Sequence, residues 1–140
     1  MKKVIFICKG NMHRSPIAEA FYNLLKKDNS FAESCGTWVE KEGRTGNRLS
    51  FYPSLAGYIN EVKKYGPDIS NHVCTQVTPE ILEGADKIVI IAEDYSIPDW
   101  LRTYKYEHWD IIDGAPEGIV KDVQDIKSKV EGLLRSGIIA

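Results

Sequence analysis

The chain reads as an α/β protein: a four-stranded parallel sheet with helices on both faces, a three-layer sandwich. Two observations predict this. The runs Lys2–Cys8 and Lys87–Ala92 are short and mostly apolar, the composition of strands buried on both sides. Amphipathic stretches alternate with the strand signals, and strand–helix–strand crossovers are right-handed and build parallel sheets. Length bounds the count. At 140 residues and 43% hydrophobic, residues 1–140 suffice for one core and are expected to form a single domain.

Taken in order, Lys2–Cys8 is the first strand. Ser15–Lys27 follows as a helix with Ile17, Ala18, Phe21, Leu24 and Leu25 on one face. Pro16 stands in its first turn, where its missing N–H costs nothing. Phe31–Cys35 is a second strand closed by Gly36, and Thr37–Tyr52, with Gly43, Gly46 and several charges, reads as a long loop. Pro53–Tyr65 returns to helical spacing through Leu55, Ile59 and Val62 and ends at Gly66-Pro67. Thr78 caps a short helix running to Glu83. Lys87–Ala92 is the third strand, Tyr95–Arg102 a short helix and Lys105–Trp109 the fourth strand. Asp113–Gly118 is a loop. Ile119–Arg135 is the last helix, presenting Val120, Val123, Ile126, Val130 and Leu133 or Leu134.

Composition excludes several classes of function. A formal net charge of −2 leaves no electrostatic footprint for nucleic acid or an anionic membrane, and Lys26-Lys27 and Lys63-Lys64 read as solvated helix ends. No leader is expected, since the first residues already read as a strand, and no apolar run reaches membrane-spanning length. The three cysteines, Cys8, Cys35 and Cys74, are too widely spaced for a zinc cluster or a disulfide framework. A chain without metal or other cofactor, in a reducing cytoplasm, is the expectation.

The chemistry is concentrated in Cys8-Lys9-Gly10-Asn11-Met12-His13-Arg14-Ser15. A strand ends in a thiol, a short loop follows, and a helix opens at Arg-Ser-Pro. Loop amides and the helix N-terminus make a seat for a tetrahedral oxyanion. The same field favours the nucleophilic thiolate of Cys8. Arg14 supplies a planar fork for two oxygens, which Lys would not match. Gly10 allows a tight bend and Asn11 a left-handed residue. Ser15 either caps the helix or donates to the sulfur. The loop lacks the Gly-Lys-Ser/Thr of a nucleotide-binding P-loop and the G-x-G-x-x-G fingerprint, so nucleotide binding is not indicated. In parallel sheets ligands bind beyond the C-terminal strand ends, which is where Cys8 stands.

Residues 4–19, VIFICKGNMHRSPIAE, resemble the N-terminal signature of the low-molecular-weight protein tyrosine phosphatases, whose fold the thioredoxin-coupled arsenate reductases share. Glu33-Ser34-Cys35-Gly36-Thr37 and Asp68-Ile69-Ser70-Asn71-His72 are similar to two further segments of that family. The resemblance implies a flavodoxin-like sheet in strand order 2-1-3-4. It implies Cys8 as nucleophile, Arg14 as phosphate clamp, and a cradle formed by Lys9, Gly10, Asn11, Met12, His13, Arg14 and Ser15. It places Asn11, Ser15, Ser34 and His72 behind the loop, holding its shape. The family's general acid sits in an Asp-Pro pair after the fourth strand. This chain has Trp109-Asp110-Ile111-Ile112-Asp113-Gly114-Ala115-Pro116, without the pair. Counting from Glu107-His108-Trp109 puts Asp113 in the acid's place and Gly114 in the proline's, with Asp110 as the alternative.

Other departures bear on function. His13 stands where many relatives carry a second cysteine, so disulfide rescue within the loop is not expected, although Cys35 lies one strand away. Ala92 stands where the reductases carry a further cysteine. Ala115 replaces an aromatic wall residue, for which Trp38, Phe51 and Tyr52, with Arg44 and Arg48, are the substitutes on offer. The expected function is phosphomonoester hydrolysis, on phosphotyrosine or a small aryl phosphate, through a cysteinyl-phosphate that releases inorganic phosphate. The expected state is a monomer without nucleic-acid or membrane partners. An arsenate reductase and a non-catalytic phosphate-binding module are the alternatives.

Overall fold

The structure, a computed structural model, describes residues 2–111 and 118–137. Strand β1 (Lys3–Cys8) leads through the anion loop into α1 (Arg14–Leu25), which returns to β2 (Phe31–Gly36). After a long excursion come α2 (Ala56–Lys63), α3 (Pro79–Leu82), β3 (Lys87–Ile90), α4 (Asp99–Arg102), β4 (Glu107–His108) and α5 (Ile119–Ser136). The four strands are parallel in the order β2-β1-β3-β4. This is the doubly covered sheet that the apolar runs and alternating pattern predict.

Strand alternation divides the core between the two faces of the sheet. Val4, Phe6, Cys8 and Val89 face α1 and α5, against Phe21, Tyr22, Val123, Ile126 and Val130. Ile5, Ile7, Cys35, Ile88 and Ile90 face the other way, against Val77, Leu82 and Leu101. Phe6 and Phe21 are fully buried, and truncating either to alanine would cost about 3–5 kcal/mol.

Two helix-face expectations need correction. Leu24 is 47% exposed and Val120 49% exposed. Both lie about a quarter turn from the faces actually buried, which centre on Ala18, Phe21 and Tyr22 in α1 and on Ile126 and Val130 in α5. The stretch from Pro53 also divides: Pro53–Leu55 forms a tighter turn before α2 begins at Ala56. The fourth strand has only two residues, because a Tyr104 N–H to Leu101 O bond of 3.1 Å keeps the preceding chain in the turn after α4. Trp109 N–H then donates to Ile90 O at 2.9 Å, extending the pairing toward the C-terminal edge of the sheet. That edge is where β1 delivers Cys8.

Candidate active site

Cys8 is buried at the end of β1, and the chain beyond β2 straps the loop that follows it. Thr37 N–H donates to Cys8 O and Trp38 N–H to Lys9 O, both at 2.9 Å. Gly36 is required for this approach: a Cβ there would stand 2.7 Å from Lys9 O and 2.9 Å from Asn11 N. The left-handed residue of the loop is Asn11 at φ +53°, the one non-glycine with positive φ among the described residues. Gly10 does not take a positive φ.

The Asn11 side chain fixes the proton directions behind the loop. Thr75 N–H can only donate, so the atom 2.9 Å away is Oδ1, which also lies 2.9 Å from His72 Nε2. Nδ2 therefore donates to Ser15 Oγ at 2.9 Å and Ser34 Oγ at 3.1 Å. With its oxygen accepting from Asn11, the Ser15 hydroxyl has two acceptors within reach of its proton, Cys8 Sγ at 3.0 Å and Cys35 O at 3.3 Å. Asn11 N–H donates to the same sulfur at 3.1 Å. Ser34 in turn donates to Glu19 Oε1 at 2.7 Å. The four residues expected behind the loop are thus joined in one buried network. Ser15 does not cap α1; the helix begins one residue earlier and has no side-chain cap.

Glu19 is a further member of this network, one beyond the residues expected behind the loop. Its Oε1 lies 3.9 Å from His72 Nδ1. Burial, then the charge of Glu33, pushes its carboxyl up to about 7. Burial likewise pushes His72 down to about 4. Both shifts favour a neutral pair. The clue was available in Ile17-Ala18-Glu19, an acid on the turn of α1 that otherwise faces the core.

Arg14 is 3% exposed and is gripped by the chain that follows β3 and β4. Its Nη1 donates to Glu93 Oε1 at 2.5 Å, Ile91 O at 2.9 Å and Ile111 O at 3.1 Å. Glu93 also lies 3.7 Å from Lys9 Nζ. Glu93 is a second residue unforeseen from the sequence; nothing in its local pattern marks it as the counter-ion of an arginine 79 positions away.

Cys8, Lys9, Gly10, Met12, His13, Arg14, Glu42 and Arg44 line a cleft of about 190 Å³. On one side Lys9 Nζ donates to Tyr95 Oη at 3.0 Å and stands 5.5 Å from the ring centroids of both Tyr95 and Trp38. On another, the His13 ring stacks on Tyr58 at 4.5 Å, and Tyr58 Oη donates to Asp122 at 2.9 Å. Of the substitute wall residues, Arg44 lines the cleft and Trp38 packs beside Lys9. Phe51, 69% exposed against Tyr52, and Arg48 are not among the lining residues.

Cys35 does not approach Cys8. Register pairs it with Ile7, so its side chain lies on the opposite face of the sheet, and burial pushes its thiol far up. Cys74 is buried with Sγ 3.5 Å from Asn11 O. Asp110 is exposed and lines a groove along α5 with Lys121, Asp122 and Asp125, not the Cys8 cleft. Asp113, Gly114 and Ala115 lie outside the described residues. Among the described residues no cluster of His, Cys, Asp and Glu would hold a metal ion, and no helix is long and apolar enough to cross a membrane.

The thiol of Cys8 thus stands at a strand end, and the loop after it runs into α1 at Arg14. The sequence profile of the low molecular weight phosphotyrosine protein phosphatases matches residues 3–136. The chain belongs to this family. The human low molecular weight phosphotyrosine protein phosphatase is 34% identical over 93 residues, covering 66% of this chain and 56% of the human protein. The arsenate reductase of Staphylococcus aureus (strain Newman) is 29% identical over 135 residues, covering 93% of this chain and 94% of the reductase. Among solved structures, Vibrio vulnificus Wzb in complex with benzylphosphonate shares the fold, with a TM-score of 0.81 at 23% identity over 97% of this chain and 99% of that one. An arsenate reductase in the reduced state follows the same path, with a TM-score of 0.73 at 26% identity over 97% of this chain and 98% of that one. Proteins named as phosphatase and as arsenate reductase are thus both similar to this chain, at 34% and 29% identity.

Proposed function

We propose that this protein is a cysteine-dependent phosphomonoesterase whose substrate class is phosphotyrosine. The observation that carries the reading is the convergence on Cys8 Sγ of Asn11 N–H and the Ser15 hydroxyl, inside the cleft that Arg14 also lines. Cys8 attacks phosphorus in line with the ester oxygen while Arg14 and the loop amides hold the equatorial oxygens. The P–O bond breaks as an S–P bond forms. Asp113 protonates the departing phenoxide and, now a carboxylate, takes a proton from the water that attacks the cysteinyl-phosphate. The S–P bond then breaks, releasing inorganic phosphate and returning the thiolate. Two observations support Asp113 over Asp110. Ile111 O contacts Arg14, bringing the chain to the clamp two residues before Asp113, whereas Asp110 lines the groove along α5.

Arsenate reduction is the second reading, favoured by the Staphylococcus relative. It needs further thiols to carry oxidation away from the first. Here Ala92 occupies the position expected for one, and Cys35 points to the opposite face of the sheet. The deciding experiment is p-nitrophenyl phosphate hydrolysis against pH, for the unaltered protein and Cys8→Ser. Turnover that disappears with Cys8 is expected. Phosphate or vanadate binding without Cys8-dependent turnover would instead indicate a binding module. Arsenite release with loss of two thiols after arsenate exposure would establish the reductase.

A further inference from the structure

The cleft holds a second arginine that the chemistry above does not use. Arg44 and Arg14 approach from different sides. Arg14 is gripped by the chain after β3 and by Ile111, whereas Arg44 belongs to the loop after β2. The backbone of Arg44 is seated: its N–H donates to Val39 O at 2.9 Å and its O accepts from Asn47 N–H at 3.1 Å. Its guanidinium lies against the loop, with Nη1 3.4 Å from where a Gly10 Cβ would be. It holds one carboxylate, Glu42 Oε1 at 2.6 Å, in a pair whose two side chains are each 30% exposed. A pair so exposed is weak, and an incoming carboxylate can replace it. Glu42 therefore shows what kind of group this arginine receives.

The charge around the cleft points the same way. Its described lining carries Lys9, Arg14 and Arg44 against one carboxylate, Glu42, in a chain of net charge −2. Glu93 answers Arg14 and Lys9 from behind. Lys41 adds a further cation, its Nζ 3.9 Å over the Trp38 ring that also receives Lys9. The phosphoryl group needs only the loop amides and Arg14. Among the described residues, Arg44 is the lining cation whose carboxylate partner lies at the exposed rim of the cleft.

We propose that Arg44 is a specificity-determining residue that reads a second negative charge, and that the substrate is a phosphotyrosyl peptide with a carboxylate side chain next to the phosphotyrosine. This rests on the phosphatase reading, with Cys8 and Arg14 engaging the phosphoryl group. On binding, the peptide carboxylate takes the Arg44 Nη1 position now held by Glu42, and Glu42 turns to solvent.

The test uses three synthetic phosphotyrosyl peptides, identical except for Asp, Asn or Lys flanking the phosphotyrosine. kcat/KM is measured for the unaltered protein, Arg44→Ala and Arg44→Glu. In parallel, Kd is measured on Cys8→Ser and on its double variants with Arg44, so preference is read without turnover. The unaltered protein is expected to favour the Asp peptide over the Asn peptide by roughly tenfold, a preference that shrinks as salt is raised. Arg44→Ala should bring that ratio near one, and Arg44→Glu should move the preference to the Lys peptide. A general loss of folding or of cradle shape would lower all three peptides together and cannot invert their order. Equal Kd and kcat/KM for the Asp and Asn peptides in the unaltered protein would overturn the proposal, as would an Arg44→Ala variant that loses all peptides by one factor. Loss of the phosphatase reading appears separately, as absent Cys8-dependent turnover while the Kd series still ranks the peptides.

Discussion

Asn11, buried behind the floor of the cleft, has both acceptor positions and both donor positions of its amide filled by Thr75, His72, Ser15 and Ser34. Arg44, at the rim, holds a single half-exposed carboxylate. The two residues are placed by opposite means. The floor uses a closed, buried network, in which each bond is strong and each missing partner costly. Such a network holds Asn11 in a left-handed conformation that its backbone does not favour. The rim uses exposed ion pairs that exchange readily with solvent or ligand. Geometry that must not change is built into the floor, and contacts that must yield to a substrate are left at the rim.

The largest expected effect tests whether chemistry belongs to the floor alone. Asp113→Ala should lower kcat for p-nitrophenyl phosphate by roughly 10²- to 10⁴-fold, while Asp110→Ala changes it little. The reverse ranking would remove Asp113 from the mechanism. Next comes the floor itself. Asn11→Ala removes four hydrogen bonds and leaves buried partners unmet, so it should cost about 2–4 kcal/mol of stability and at least about 10²-fold in kcat. Asn11→Gly removes the same bonds but accepts the positive φ, so it should lose about 1 kcal/mol less. Denaturant titration beside the rate measurement separates the two. If Asn11→Ala retains full kcat, the network is not what shapes the cradle.

The floor was legible in the sequence because its residues sit in contiguous segments. Cys8 through Ser15 occupy one loop, and Ser34 and His72 lie in short patterns that resemble the family's. The sheet was legible for a related reason: strands buried on both faces leave uninterrupted apolar runs, as in Val4–Ile7 and Ile88–Ile91. The fourth strand was legible in place and not in length: Lys105–Trp109 has a strand-like composition, but only Glu107 and His108 form the ladder with β3 at this edge of the sheet. Glu93 escaped assignment for another reason. It gains its partner only when the loop after β3 closes on the Cys8 loop, and local periodicity carries no trace of that closure. Leu24 and Val120 show the limit of periodicity itself, since a residue a quarter turn off the buried face still satisfies the helical spacing.

The smallest effect is the most specific to the floor. Burial pushes Glu19 up to about 7 from its ordinary 4.5 and His72 down to about 4 from its ordinary 6.5. Between roughly pH 4.5 and 6.5 the unfolded chain carries the proton on His72 and the folded chain carries it on Glu19, so the number of protons bound by the pair hardly changes. Glu19 alone contributes stability that is full below pH 4.5 and lost as pH rises through about 7. His72 alone contributes stability that is full above pH 6.5 and lost as pH falls through about 4. Together they offset one another. Glu19→Gln, which keeps an acceptor for Ser34, should therefore leave stability rising with pH across this window by at most about 1.4 kcal/mol per unit. His72→Gln should leave it falling with a slope of similar size. Urea titrations at several pH values read both slopes against the nearly flat contribution of the intact pair. Slopes of the same sign in the two variants would show that Glu19 and His72 do not exchange a proton on folding, and that the floor is held by hydrogen bonds alone.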